Sequence, residues 1–223
     1  MQNSEQQEHR GPNGSRRPGQ ALVLSGGGVL GAFQAGFLRA LFRTSFRPSV
    51  IVGTSAGALN GAFLALHPDE QGAEELVGIW RELRRQRLFL FNPLRIAYQV
   101  ASRQLCPSNG RALSELAERH VPVDDFSGTE VLLYITATNL SRGRKVTFPE
   151  EPISRAILAS TALPGIFCPV EIDGDIYDDG GVLANLDLET AIELGATDIL
   201  ARRSPTGGHR PYAAAHSSVT SIR

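Results

Sequence analysis

Twice near its N-terminal end the chain runs a short apolar β-type segment into a glycine-rich turn and on into an apolar helical stretch. The first is Ala21-Leu22-Val23-Leu24-Ser25, then Gly26-Gly27-Gly28, then Ala32, Phe33, Gly36, Phe37, Ala40 and Leu41 at helical spacing. The second is Ser49-Val50-Ile51-Val52, then Gly53-Thr54-Ser55-Ala56-Gly57, then apolar residues to Leu66, closed by His67-Pro68. Strands that feed helices through tight turns build parallel sheets covered on both faces. Further on, the pattern predicts helices over 69–85, 110–120, 152–160 and 188–194, the last ended by Gly195. It predicts strands over 131–140, 145–148 and 198–201, and a hairpin at 172–177 turning on Asp173-Gly174. The expected fold class is α/β, with a mainly parallel central sheet flanked by helices. Residues 21–201 form the expected domain. Residues 1–20 read as a disordered polar leader and 202–223 as a disordered or truncated tail, neither having an apolar period.

With 223 residues, 42% hydrophobic and 20% charged, the chain can bury one substantial core. A net charge of −1 argues against a strongly basic nucleic-acid binder. Two cysteines, Cys106 and Cys168, cannot make a disulfide framework or a four-cysteine zinc site, and no ligand cluster implies a metal. No run reaches the roughly 18–20 apolar residues of a membrane span, and the first residues lack a secretory apolar region. The expected location is cytoplasmic, with peripheral contact at a membrane surface allowed. The one lysine, Lys145, lies in Ser-Arg-Gly-Arg-Lys-Val-Thr-Phe, which excludes a P-loop lysine and a Ser-x-x-Lys pair and suggests a solvated hairpin.

Three segments carry chemistry. Gly26-Gly27-Gly28-Val29-Leu30-Gly31 satisfies G-x-G-x-x-G, and its backbone N–H groups at a helix start suit an anion. A dinucleotide fold wants an acidic residue about 20 positions on to hold the ribose, and no Asp or Glu occurs between Ala32 and Pro68. Gly53-Thr54-Ser55-Ala56-Gly57 places a serine on a strand-to-helix turn, the G-x-S-x-G setting of an exposed nucleophile. Its plain structural alternative is a helix-capping serine in a tight turn. The third segment is Asp178-Asp179-Gly180-Gly181, after a hairpin. A nucleophilic serine needs a base within hydrogen-bond reach. His9, His209 and His216 lie in the expected tails, and His67 is a helix length, roughly 15 Å, from Ser55. His120 reads as a helix cap but stays open as a base. A carboxylate is the other choice.

Together these segments resemble the patatin-like phospholipases, from about Leu22 to Leu200. LSGGGVLGAFQAG is similar to that family's oxyanion loop and GTSAGALNGA to its nucleophile elbow. ASTALPGIFCPV resembles its A-S-x-A-x-P-x-x-F-x-P segment, and IYDDGGVLAN its D-G-G/A motif. The resemblance implies a three-layer sandwich and a Ser–Asp dyad that works without a cofactor. Ser55 would be the nucleophile and Asp179 the general base. Backbone N–H groups of Gly26, Gly27 and Gly28, with Ala56, would hold the oxyanion, while Gly31, Gly53, Gly57, Gly180 and Gly181 are motif glycines. The implied substrate is a lipid or other acyl ester, cleaved as by a phospholipase A or lysophospholipase. Three departures stand out. Leu30 replaces the usual Arg or Lys, Asn185-Leu186-Asp187 replaces Asn-x-Pro, and the chain ends soon after Leu200. A catalytically impaired lipid-binding relative is therefore the alternative, with a nucleotide-binding oxidoreductase behind it.

Leu88-Phe89-Leu90-Phe91 and the apolar residues to Val100 could line an acyl pocket or meet a membrane interface. Arg81, Arg84, Arg85 and Arg87 could face anionic headgroups, or simply water.

Overall fold

The computed structural model describes residues 19–85, 111–122, 125–204 and 219–222. The apolar stretch from Leu88 to Val100, Arg87 and most of the expected leader and tail fall outside these residues. Eight strands form one sheet: β1 Gln20–Leu24, β2 Val50–Thr54, β3 Leu132–Asn139, β4 Arg144–Phe148, β5 Val170–Ile172, β6 Asp175–Asp179, β7 Asp198–Arg202 and β8 Val219–Ile222. The helices are α1 Gly31–Leu41, α2 Ala56–Leu66, α3 Glu70–Arg85, α4 Arg111–His120, α5 Ile153–Thr161, α6 Gly181–Ala184 and α7 Leu188–Glu193.

The sheet is parallel at its centre and antiparallel at its margins. β7, β1, β2 and β3 are parallel neighbours. β4 and β6 pair antiparallel with β3, β5 with β6, and β8 with β7. The expected α/β sheet flanked by helices is present, with its parallel strands at the centre and strands of reversed direction added at the margins. Asp173 and Gly174 turn the β5–β6 hairpin with φ of 50° and 81°, the left-handed pair such a two-residue turn needs. Strand β8 lies within residues 202–223, the segment read from the sequence as a disordered or truncated tail.

The continuous apolar runs of the central strands follow from burial on both faces. Leu22, Leu24 and Ile51 face α1 to α5, and Ala21, Val23, Val50 and Val52 face the side covered by Ala191 of α7. The result is three layers. Every residue of α2 is buried, which explains its run of Ala, Gly and Leu without a polar stripe. Among the described residues no helix is long and apolar enough to cross a membrane.

Candidate active site

β3 sets the level of the site. Thr136 pairs with Thr54, the last residue of β2, and the next residue, Ala137, pairs with Asp179, the last residue of β6. Ser55 follows Thr54 and turns the chain into α2 with φ 55° and ψ −121°. A serine held there costs on the order of 1–3 kcal/mol. The turn is possible because its flanks have no side chains. A Cβ on Gly53 would lie 2.5 Å from the Gly57 carbonyl oxygen, and one on Gly57 would lie 2.3 Å from that of Leu24. The Ser55 hydroxyl donates to Asp179 Oδ2 at 2.6 Å.

Asp179 is only 2% exposed. Its Oδ1 accepts the Gly181 N–H at 2.7 Å. Burial raises its pKa above the ordinary carboxylate value; the bonds from Ser55 and Gly181 pull against this, and the Asp178 charge adds to it. Asp178 is buried too, and its Oδ1 accepts the Asp179 N–H at 3.0 Å. It therefore braces Asp179 rather than bonding to the serine. Gly180 fits under β3 so closely that a Cβ would lie 2.2 Å from the Thr136 carbonyl oxygen.

Neither described histidine, His67 or His120, bonds to Ser55 or Asp179. His67 stacks near the Phe63 ring at 5.1 Å, at the far end of α2. His120 ends α4, and burial lowers its pKa while the Glu82 charge opposes this.

The glycine-rich loop lies against the serine. The Gly26 Cβ position is 3.0 Å from Ser55 Cβ and 2.5 Å from Asn185 Oδ1. The Gly26 N–H donates to the Asn185 carbonyl at 3.0 Å, which corrects the expectation that it serves an oxyanion, because its single donor is already committed. The N–H groups of Gly27 and Gly28 show no acceptor among the described residues. Ala56 opens α2, where an N–H has no acceptor within the helix. Gly31 admits the Trp80 ring, which a Cβ would meet at 2.3 Å.

Several contributors were not singled out as site residues from the sequence. Ser160 accepts the Ser55 N–H at 2.8 Å and donates to the Thr136 carbonyl at 2.6 Å. Thr54 Oγ1 donates to the Ala184 carbonyl at 3.1 Å, tying β2 to the segment after Asp179. Asp187 is almost wholly buried and accepts from Thr136 Oγ1 and Thr190 Oγ1, each at 2.8 Å, and from Lys145 Nζ at 2.9 Å. Lys145 is thus not a solvated hairpin residue. It anchors β4 to α7, with Glu189 as a second partner at 2.8 Å.

Exposed aliphatic side chains sit close to these groups along the chain. Val29 follows the glycine loop, Leu163 follows Ala162, whose carbonyl accepts the Asp179 N–H, and Val182 and Leu183 follow Gly181. Their exposures run from 39% to 54%.

Comparisons with known proteins show the family of the chain. The patatin-like phospholipase profile matches residues 22–192. An uncharacterized NTE family protein of Mycobacterium tuberculosis is 30% identical over 202 residues, covering 83% of this chain and 51% of that protein. A lysophospholipase, nte1, of Aspergillus terreus is 27% identical over 180 residues, covering 81% of this chain and 11% of that protein. The solved structure of VipD from Legionella pneumophila matches with a TM-score of 0.40 at 17% identity, over 82% of this chain and 51% of that one. The chain spans about half the length of the mycobacterial relative and a tenth of the fungal one. With the family profile matching residues 22–192, the chain belongs to the patatin-like phospholipases.

Proposed function

We propose that the chain is a serine acyl hydrolase that cleaves ester bonds of lipids through Ser55 and Asp179. The observation that carries this reading is the 2.6 Å hydrogen bond from the Ser55 hydroxyl to a buried carboxylate, made from a strained turn. Asp179 takes the Ser55 proton as Oγ attacks the ester carbonyl carbon. The carbonyl oxygen becomes an oxyanion, stabilised by the Gly27, Gly28 and Ala56 N–H groups; one such donor is worth about 3 kcal/mol in other enzymes. The carbon–oxygen bond to the leaving alcohol then breaks, and that alcohol takes the proton from Asp179. Water attacks the acyl-enzyme, passing a proton to Asp179, which returns it to Ser55 Oγ as the acid departs.

An ordinary aspartate, with a pKa near 3.9, is a weak base. Its raised pKa and its short distance to the hydroxyl both favour proton uptake. The exposed Val29, Leu163, Val182 and Leu183 support an apolar substrate at the mouth of the site and contact with a lipid surface. The lysophospholipase name of the fungal relative supports the same substrate class.

The test is hydrolysis of p-nitrophenyl esters of graded chain length, and of lysophospholipid, by the wild type, Ser55→Ala and Asp179→Asn. Turnover lost in both variants, with longer acyl chains preferred, supports the reading. A folded wild type that hydrolyses none of these would overturn it and favour a lipid-binding role.

A further inference from the structure

We infer that Ser160 is a positioning residue that sets the Ser55 amide and the Asp179 backbone relative to one another. This rests on the dyad reading above. Ser160 lies in the last turn of α5 and is fully buried. Its hydroxyl donates to the Thr136 carbonyl at 2.6 Å and accepts the Ser55 N–H at 2.8 Å. Its own carbonyl accepts the Gly180 N–H at 3.3 Å, and two residues on, the Ala162 carbonyl accepts the Asp179 N–H at 3.1 Å. One short stretch of chain therefore binds the backbone of the nucleophile through a side chain and the backbone of the base through carbonyls.

The chemistry requires an alcohol. A single atom must donate to a carbonyl and accept from an amide in a space with no solvent, and a hydroxyl does both. Alanine would leave the Ser55 N–H and one lone pair of the Thr136 carbonyl without a partner inside the protein. The Ser55 amide is part of a turn held at φ 55°, so its direction governs where the Ser55 side chain points. The bond to Ser160 also commits the Ser55 N–H, so that amide does not serve the oxyanion. The donors in the mechanism are those of the glycine loop and Ala56.

The experiment compares wild type, Ser160→Ala, Ser160→Cys and Ser160→Thr with p-nitrophenyl butyrate, and measures the rate at which a fluorophosphonate labels Ser55. Melting curves identify which variants fold. Ser160→Ala is expected to lower kcat 10- to 100-fold, with KM within about threefold, and to slow labelling by a similar factor. Ser160→Thr, which keeps the hydroxyl, should recover at least a third of the wild-type kcat. If Ser160→Ala does not fold, Ser160→Cys, close in size but weak as donor and acceptor, should show the loss instead. A folded Ala or Cys variant with kcat and labelling rate within twofold of wild type overturns the inference while leaving the dyad standing. So does a folded Thr variant as slow as the Ala variant. Wild type that fluorophosphonate does not label at Ser55 overturns the dyad reading, and the inference with it.

Discussion

Ser55 and Asp179 lie 124 positions apart in the chain, yet their side chains are hydrogen-bonded at 2.6 Å. Their meeting follows from β3, where consecutive residues Thr136 and Ala137 pair with Thr54 and Asp179. The Ser55–Asp179 pair is thus a property of strand register. A one-residue slip would turn every side chain of the slipped strand to the other face.

That placement makes Asp179 costly. Burial raises its folded pKa, outweighing the bonds from Ser55 and Gly181. For a raised pKa, the proton-linked stability is fully present below the unfolded value, about 3.9, and is lost as pH rises through the folded value. Above the folded value the carboxylate is ionised and the fold carries the cost. Asp179→Asn is therefore expected to abolish hydrolysis and raise the melting temperature at pH 7, with the gain shrinking towards pH 4. The same shift places the acid limb of wild-type kcat/KM above the ordinary carboxylate range. Thermal melts from pH 4 to 8 and a pH–rate profile check both, and equal melting temperatures at pH 7 would contradict the first.

Much of this arrangement can be read from local chemistry. The glycines on either side of Ser55 announce a tight turn, and the apolar run after it announces a buried helix. The D-G-G segment needed family resemblance to rise above an ordinary polar turn. What stayed hidden depends on tertiary pairing. Nothing near Lys145 indicates a carboxylate 42 positions away, and Ser160, although it sits in the A-S-x-A-x-P-like segment, carries no local sign of the groups it binds. The commitment of the Gly26 amide to Asn185 is equally non-local. Which strand each marginal strand pairs with is likewise not encoded in its own periodicity.

The Lys145–Asp187 pair should matter for stability more than a surface ion pair does. The Asp187 side chain is 1% exposed and that of Lys145 21%. Burial pushes the Asp187 pKa up, but bonds from Lys145, Thr190 and Thr136 outweigh it and hold the pKa below its usual value. Its contribution is present above about pH 3.9 and is lost as pH falls through the depressed value. Burial likewise opposes the Lys145 charge, and Glu189 and Asp187 overcome it, raising the pKa. That contribution is complete below about pH 10.4 and is lost as pH rises through the folded value. Lys145→Met should cost about 3–5 kcal/mol near neutral pH by stranding a buried carboxylate. Adding Asp187→Asn should restore part of it. Urea titrations at pH 7 decide this, and a loss below 1 kcal/mol would mean that the threonine hydroxyls suffice.

Gly180 on one side and Gly36 and Gly78 on the other have opposite expected responses to alanine. At Gly180 the added Cβ meets the carbonyl of Thr136, backbone of a central strand that cannot move aside. Gly180→Ala should lose 2 kcal/mol or more, at the scale of a core overpacking, and displace Asp179. Gly36 and Gly78 sit on exposed helix faces with nothing within 4 Å. Alanine there should stabilise by about 0.5–1 kcal/mol each and leave hydrolysis unchanged. Denaturation monitored by circular dichroism, alongside ester hydrolysis, separates the groups.

Asn60 offers a test of the polar chain beneath the glycine loop. Its amide donates to the Gly31 carbonyl and to Gln34 Oε1, both at 3.1 Å, and its carbonyl oxygen accepts Trp80 Nε1 at 2.6 Å. Gln34 in turn donates to the Ser25 carbonyl at 2.7 Å and to Ser204 Oγ at 3.0 Å, joining α1 to the strand ends beside the loop. All of these side chains are buried, so removing the central amide strips partners from several groups that water does not reach. Asn60→Ala is expected to cost about 2–4 kcal/mol, from the unpaired groups and the cavity together. Because Trp80 is the single tryptophan, its fluorescence reports the change directly, as a shifted emission in the folded state and an earlier unfolding midpoint. An unshifted midpoint would show that the loop is held by Gly31 packing on the Trp80 ring rather than by the amide.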